Sequence, residues 1–163
     1  MSDFDPLTLQ MEFARALLQA VSDAERLLAT LQTEFQYLKD NDLDNFEKLQ
    51  QRKQKDIQTI QLFENLRKQF CHRTDIDPDN PSFQQHLTAS SLDVWQQLLN
   101  ILKQCDEAHR TSGIFMRQRL ENISKALEIL QLNHPTNAIN LYNQLGNTFT
   151  ASQGRSLSKA WWI

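Results

Sequence analysis

An all-α fold is predicted: an elongated antiparallel bundle of three long, coiled-coil-like helices with a short C-terminal helical tail. Three observations predict it. Only three glycines and four prolines interrupt 163 residues. Leu, Gln, Glu, Lys and Ala dominate the rest, and these residues cost least to hold in a helix. Apolar residues also return every three or four positions along three long stretches, each ended by turn-forming residues. The length suits one domain with a core of its own.

Asp5 is placed to cap the first helix, and Pro6 takes its first position, where the missing N–H costs nothing. Leu7, Met11, Ala14, Leu18, Val21, Leu28, Leu31, Phe35 and Leu38 form the seam, with Glu25 its polar intruder. The spacing predicts a helix of about 33 residues, roughly 50 Å long. Lys39 to Asn45 is rich in turn residues, so a break is expected there, with Asp42 capping an antiparallel return. A continuous helix through it is the alternative. Leu43, Phe46, Leu49, Ile57, Ile60, Phe63, Leu66 and Phe70 carry the second stripe. Arg52, Lys53 and Lys55 read as a solvated face, because acids alternate with them along the chain. Pro78 and Pro81, among closely spaced aspartates, end this helix in a loop.

A short helical piece from Pro81 to about Ala89 is expected next, and Ser90 with Asp93 has the spacing of a capping box that opens the third helix. Its seam runs Leu92, Trp95, Leu99, Leu102, Asp106, His109, Gly113, Met116, Leu120, Ile123, Leu127 and Leu130. The centre of that seam, Asp106, His109 and Gly113, reads as a structural polar layer that sets register. Asn133, His134 and Pro135 end the helix, which divides the chain into a bundle body, 1–133, and a C-terminal partner-binding segment, 134–163.

That segment differs in kind from the body: it contains no Asp or Glu, and it carries Ile139, Leu141, Tyr142, Leu145, Phe149, Leu157, Trp161 and Trp162. A chain end normally frays, so aromatic surface concentrated there needs a cover. The cover is the bundle, a second copy or another protein. Protein binding by these eight residues is the reading taken here, since aromatic side chains anchor interfaces.

Other classes fit poorly. The net charge of -3 arises from intermixed acids and bases, which argues against a nucleic-acid partner. No apolar run is long enough for a transmembrane segment and the N-terminus has no signal-like stretch, so a cytoplasmic location is expected. Cys71 and Cys105 read as free thiols. His72, His86, His109 and His134 are scattered without the Glu-x-x-His spacing of a di-metal bundle, and neither Gly-x-Ser-x-Gly nor a phosphate loop occurs. Hence no catalytic residue, metal or cofactor is expected.

Two stretches carry a resemblance to a known family. In QCDEAHRTSGIFM, Cys105 and Gly113 resemble the cysteine-to-glycine stretch of the FlgN family, although His109 and Ser112 stand where that family usually has asparagines. In LYNQLGNTFTASQGRSLSKA, Leu141, Tyr142, Gly146, Thr148, Gly154, Arg155, Lys159 and Ala160 resemble the family's C-terminal signature. The first helical pair, with Leu27, Leu28, Leu31, Glu34 and Phe35 and then Asp42, Phe46, Leu49 and Lys53, is similar to its N-terminal helices. Trp161-Trp162-Ile163 lies beyond the resemblance. The resemblance implies a cytoplasmic flagellar type III export chaperone that holds hook-associated subunits through its C-terminal region and meets components of the export apparatus. A homodimer stays open. So does the alternative of a structural helical-bundle adaptor or dimerisation protein whose tail packs on its own core.

Overall fold

The computed structural model describes residues 5–130. They form three long helices, α1 (Pro6–Asp40), α2 (Leu43–Arg73) and α3 (Ala89–Ile129), with a short 3-10 helix, Pro81–His86, before the last. No strand occurs among the described residues, and the all-α bundle is as the sequence predicts.

Local chemistry sets most helix ends. The Asp5 carboxylate accepts a hydrogen bond from the Leu7 N–H at 3.2 Å, and the Asp42 carboxylate accepts from the Asn45 N–H at 3.2 Å. Between α1 and α2 the chain turns on Asn41, whose φ of 58° is left-handed, a conformation that asparagine tolerates better than most residues. The break is therefore real, and a continuous helix is excluded. The cap of α3 differs from expectation. Thr88 accepts from the Ser91 N–H at 3.3 Å, so Ser90 lies inside the first turn and Asp93 just beyond it. A threonine two positions earlier offers the same kind of acceptor.

α2 returns antiparallel to α1: Thr30 donates to Asp56 at 2.8 Å, while nearer the other end Phe13 stacks on Phe70 with ring centroids 4.3 Å apart. α3 then runs parallel to α1, since the Cys105 thiol meets the Ala24 carbonyl at 3.7 Å and Arg119 reaches Asn41. α1 thus serves as the helix along which both others pack.

This double duty displaces the core from the expected seam. Phe13, Leu17, Ala20, Ala24 and Leu27 are buried alongside Val21, Leu31 and Leu38, whereas Leu7, Met11 and Leu18 are more than half exposed. A helix covered on two sides buries a broader band than one heptad stripe describes, and small residues such as Ala20 and Ala24 let a neighbouring backbone come close. α3 shows a similar rotation: its buried residues are Ser91, Trp95, Leu98, Ile101, Leu102, Cys105 and Ser112, while Leu92 and Leu99 are half-buried. At the pole where α1 begins, Phe13, Phe63, Phe70, Phe83 and Trp95 form a continuous aromatic cluster. Burying each large side chain stabilises the fold by about 1.5–3 kcal/mol.

The connection from α2 to α3 belongs to this core. Arg67 binds Glu64 through two nitrogens at 2.8 and 2.9 Å, donates to the Pro78 carbonyl at 3.0 Å and lies over the Phe83 ring at 5.3 Å.

Candidate protein-binding end

Away from the aromatic pole, the bundle interior turns polar. Lys53, expected on a solvated face, is buried, and its Nζ lies 2.8 Å from the Glu34 carboxylate across the α1–α2 interface. The two side chains are 6% and 0% exposed. Phe46, Lys53, Asp56, Ile60, Phe63, Arg67 and Phe70 are all buried and recur at heptad intervals, so Lys53 occupies a seam position while Arg52 and Lys55 point outward. Alternation of charge along the chain does not reveal which member faces inward; the seven-residue step from Phe46 to Lys53 does. Burial pushes Glu34 up from the usual carboxylate range and Lys53 down from the usual amine range, each opposed by its partner.

Of the predicted layer of Asp106, His109 and Gly113, it is His109 that lies close enough to this pair to feel the charge of Lys53. His109 is half-buried, and burial followed by the charge of Lys53 lowers its affinity for a proton, against a smaller opposing effect of Asp106. Asp106, itself half-buried, pairs with Arg110 at 3.2 Å. Gly113 is exposed, and a Cβ there would meet nothing within 4 Å. Buried Ser112, one residue before it, is the neighbour that faces inward. A second polar tie joins α1 to α2 nearer the middle, where Arg26 binds both Asp23 and Asp56 at 2.9 Å.

Beyond the polar layer, α3 outruns the hairpin. Ser112 is its last buried residue. Phe115 then meets Phe35 edge-on at 5.6 Å, and the Arg119 guanidinium donates to the Asn41 side-chain oxygen at 3.1 Å, level with the α1–α2 turn. From Leu120 to Leu130 every residue is exposed except Leu120 and Leu127, which are half-buried. Ile123 and Leu130 are 52% and 63% exposed. Leu120, Ile123, Leu127 and Leu130 share one face, so about 15 Å of helix carries an apolar stripe that the hairpin does not reach.

Near the opposite pole lies a groove of about 130 Å³, lined in part by Leu9, Phe13 and Ala16 of α1 and Leu66 and Phe70 of α2. Ligand pockets usually enclose roughly 300–1,000 Å³. Cys71 and Cys105 are buried free thiols, and burial pushes Cys105 up to about 12. Among the described residues no group of three or more His, Cys, Asp or Glu side chains is placed to hold a metal ion, and no helix is long and apolar enough to cross a membrane. Ile139, Leu141, Tyr142, Leu145, Phe149, Leu157, Trp161 and Trp162 lie outside the described residues, as does the division expected between 133 and 134.

A family model described as FlgN protein matches residues 9–149. No curated protein and no solved structure matches the chain.

Proposed function

With its model matched over residues 9–149, the FlgN family of flagellar export chaperones is the one to which this chain belongs, and we propose that its cargo is the hook-associated subunits. In this reading the protein acts in the cytoplasm and passes those subunits to the export apparatus. The observation that carries the proposal is the reach of the family match. It spans residues 9–149, a range that takes in the bundle, the end of α3 and Tyr142.

The chemistry needs no covalent step. Helical subunits awaiting secretion present amphipathic surfaces that would otherwise self-associate, and a matching apolar face covers them in the helix-in-groove manner. We assign that face to the segment 134–163, with Ile139, Leu141, Tyr142, Leu145 and Phe149 as anchors and Leu157, Trp161 and Trp162 as a further apolar surface. Residues 1–133 carry it.

Isothermal titration of purified hook-associated protein into the chain and its Tyr142→Ala variant tests the assignment. The variant is expected to bind more weakly by about 1–3 kcal/mol with its melting temperature unchanged, because an aromatic anchor outweighs a rim contact. Trp161→Ala should cost less, since the family match ends before it. Unchanged affinity in Tyr142→Ala with a sharply lower melting temperature would favour the adaptor whose tail completes its own core.

A further inference from the structure

The buried polar groups divide the bundle interior in two. The main apolar cluster ends, towards the α1–α2 turn, at Leu31 on α1, Ile60 on α2 and Cys105 on α3. Leu38 and Phe46 are also buried, but they lie nearer the turn and outside that cluster. Between the two stand Glu34 from α1, Lys53 from α2 and Ser112 from α3, all buried. The Ser112 hydroxyl, on a residue 1% exposed, finds no hydrogen-bond partner among the described residues. Apolar side chains at these positions would join the two clusters into one core. Polar groups, which favour water, make burial at this level costly instead.

Past Ser112 the ties between α3 and the hairpin are slight. Phe115 meets Phe35 edge-on, the Arg119 guanidinium lies over the Phe115 ring at 5.1 Å, and the Arg119–Asn41 hydrogen bond is exposed. Gly113 adjoins the layer within α3. A Cβ there would meet nothing within 4 Å, so packing does not call for a glycine, and glycine weakens a helix interior relative to alanine. We propose that α3 is hinged at Ser112 and Gly113: its outer part, residues 114–129, swings off the α1–α2 hairpin while the main core stays closed, and the small cluster around Leu38 and Phe46 opens to solvent. Units that share few apolar contacts with the rest of a protein open at lower free energy than the whole. Such an opening needs no cargo and does not depend on the cargo reading above.

Thiol labelling reads the hinge, because Cys71 and Cys105 are buried in the main core and report its unfolding. In the full-length Ser112→Cys protein, an alkylating reagent in native buffer should modify the introduced thiol at least about tenfold faster than Cys71 and Cys105, which should share one slow rate. All three should react alike in urea. Adding Gly113→Ala should slow labelling at position 112 by about fourfold, the factor matching the roughly 0.8 kcal/mol disadvantage of glycine in a helix. Adding Glu34→Leu and Lys53→Met, which lets the two clusters meet, should slow it at least about tenfold. One common rate for all three thiols would overturn the independent opening. A Cys105 rate midway between the others would mean that α3 frays gradually from its end, and the hinge would fall. An unchanged rate after Gly113→Ala would overturn the hinge, and an unchanged rate after the paired substitution would overturn the layer as its cause. Should Ser112→Cys fail to fold, native-state hydrogen exchange on the unaltered chain decides. A detached helix of this length is marginal in water, so the amides of residues 114–119 should share one opening free energy, below that of residues 98–105. A single value across both stretches would sink the proposal.

Discussion

At the pole where α1 begins, Phe13, Phe70, Phe83 and Trp95 close the interior against one another and the connection to α3 is tied down by Arg67. At the far pole the interior holds a buried Glu34–Lys53 pair beside His109, and then α3 continues alone with Ile123 and Leu130 in solvent. One pole is built to be finished by its own chain. Both poles bury an ion pair, Arg67–Glu64 at the first and Glu34–Lys53 at the second, but the second also leaves a length of α3 with Ile123 and Leu130 exposed. Buried ion pairs add little to stability compared with apolar packing of the same volume, and their best-attested use is to fix which partners align.

Four substitutions sharpen this comparison. Lys53→Met should have the largest effect, about 3–5 kcal/mol of destabilisation in urea unfolding, because it leaves the Glu34 carboxylate buried without its countercharge. Adding Glu34→Leu should recover that loss and leave the double variant at wild-type stability or up to about 1–4 kcal/mol above it, with the α1–α3 register, followed by NMR, less sharply defined. If the double variant is as unstable as the single one, the pair is a true stabiliser and the contrast between the poles fails. The same equilibrium measurement separates core from overhang: Leu17→Ala should cost about 2–5 kcal/mol, whereas Ile123→Ala should stay within about 0.5 kcal/mol.

The smallest expected effect concerns protons. Burial and Lys53 of α2 lower the His109 pKa against the pull of Asp106 on its own helix, while Glu34 of α1 is engaged by Lys53. A histidine whose folded pKa is depressed adds stability above its ordinary value near 6.5, and that stability is lost as the pH falls towards and through the folded value. Between about pH 7.5 and 5.5 the native protein should therefore lose more stability than His109→Gln does, by under about 1 kcal/mol. Equal losses would place His109 in solvent rather than against the polar layer.

Much of the architecture was legible because helix ends are local. Asp5, Pro6, Asp42 and the proline-bearing loop act through neighbours one to four residues away, and the helices end close to where those residues stand. Which face turns inward was less legible. The stripe of Leu7, Met11 and Leu18 is as periodic as that of Phe13, Leu17 and Leu27, and only the arrival of α3 along Ala20 and Ala24 decides between them. Lys53 misled for the same reason, since a cation among acids looks solvated until its position seven residues after Phe46 is considered. At the candidate site, Leu120, Ile123, Leu127 and Leu130 were legible as a seam. That the hairpin ends before reaching them depends on comparing the lengths of three helices, which a single stripe does not contain.

The length of α3 past its last tie has a geometric consequence for what that end can present. The helix is held against α1 as far as the Phe115–Phe35 and Arg119–Asn41 contacts, whereas Arg67, which grips Glu64, the Pro78 carbonyl and the Phe83 ring, anchors the connection that precedes it. From Arg119 to Ile129 the overhang is a lever of roughly 15 Å, so each degree of tilt at that foot moves its tip by only about 0.3 Å. The free end of α3 is therefore aimed by the side chains around the α1–α2 turn.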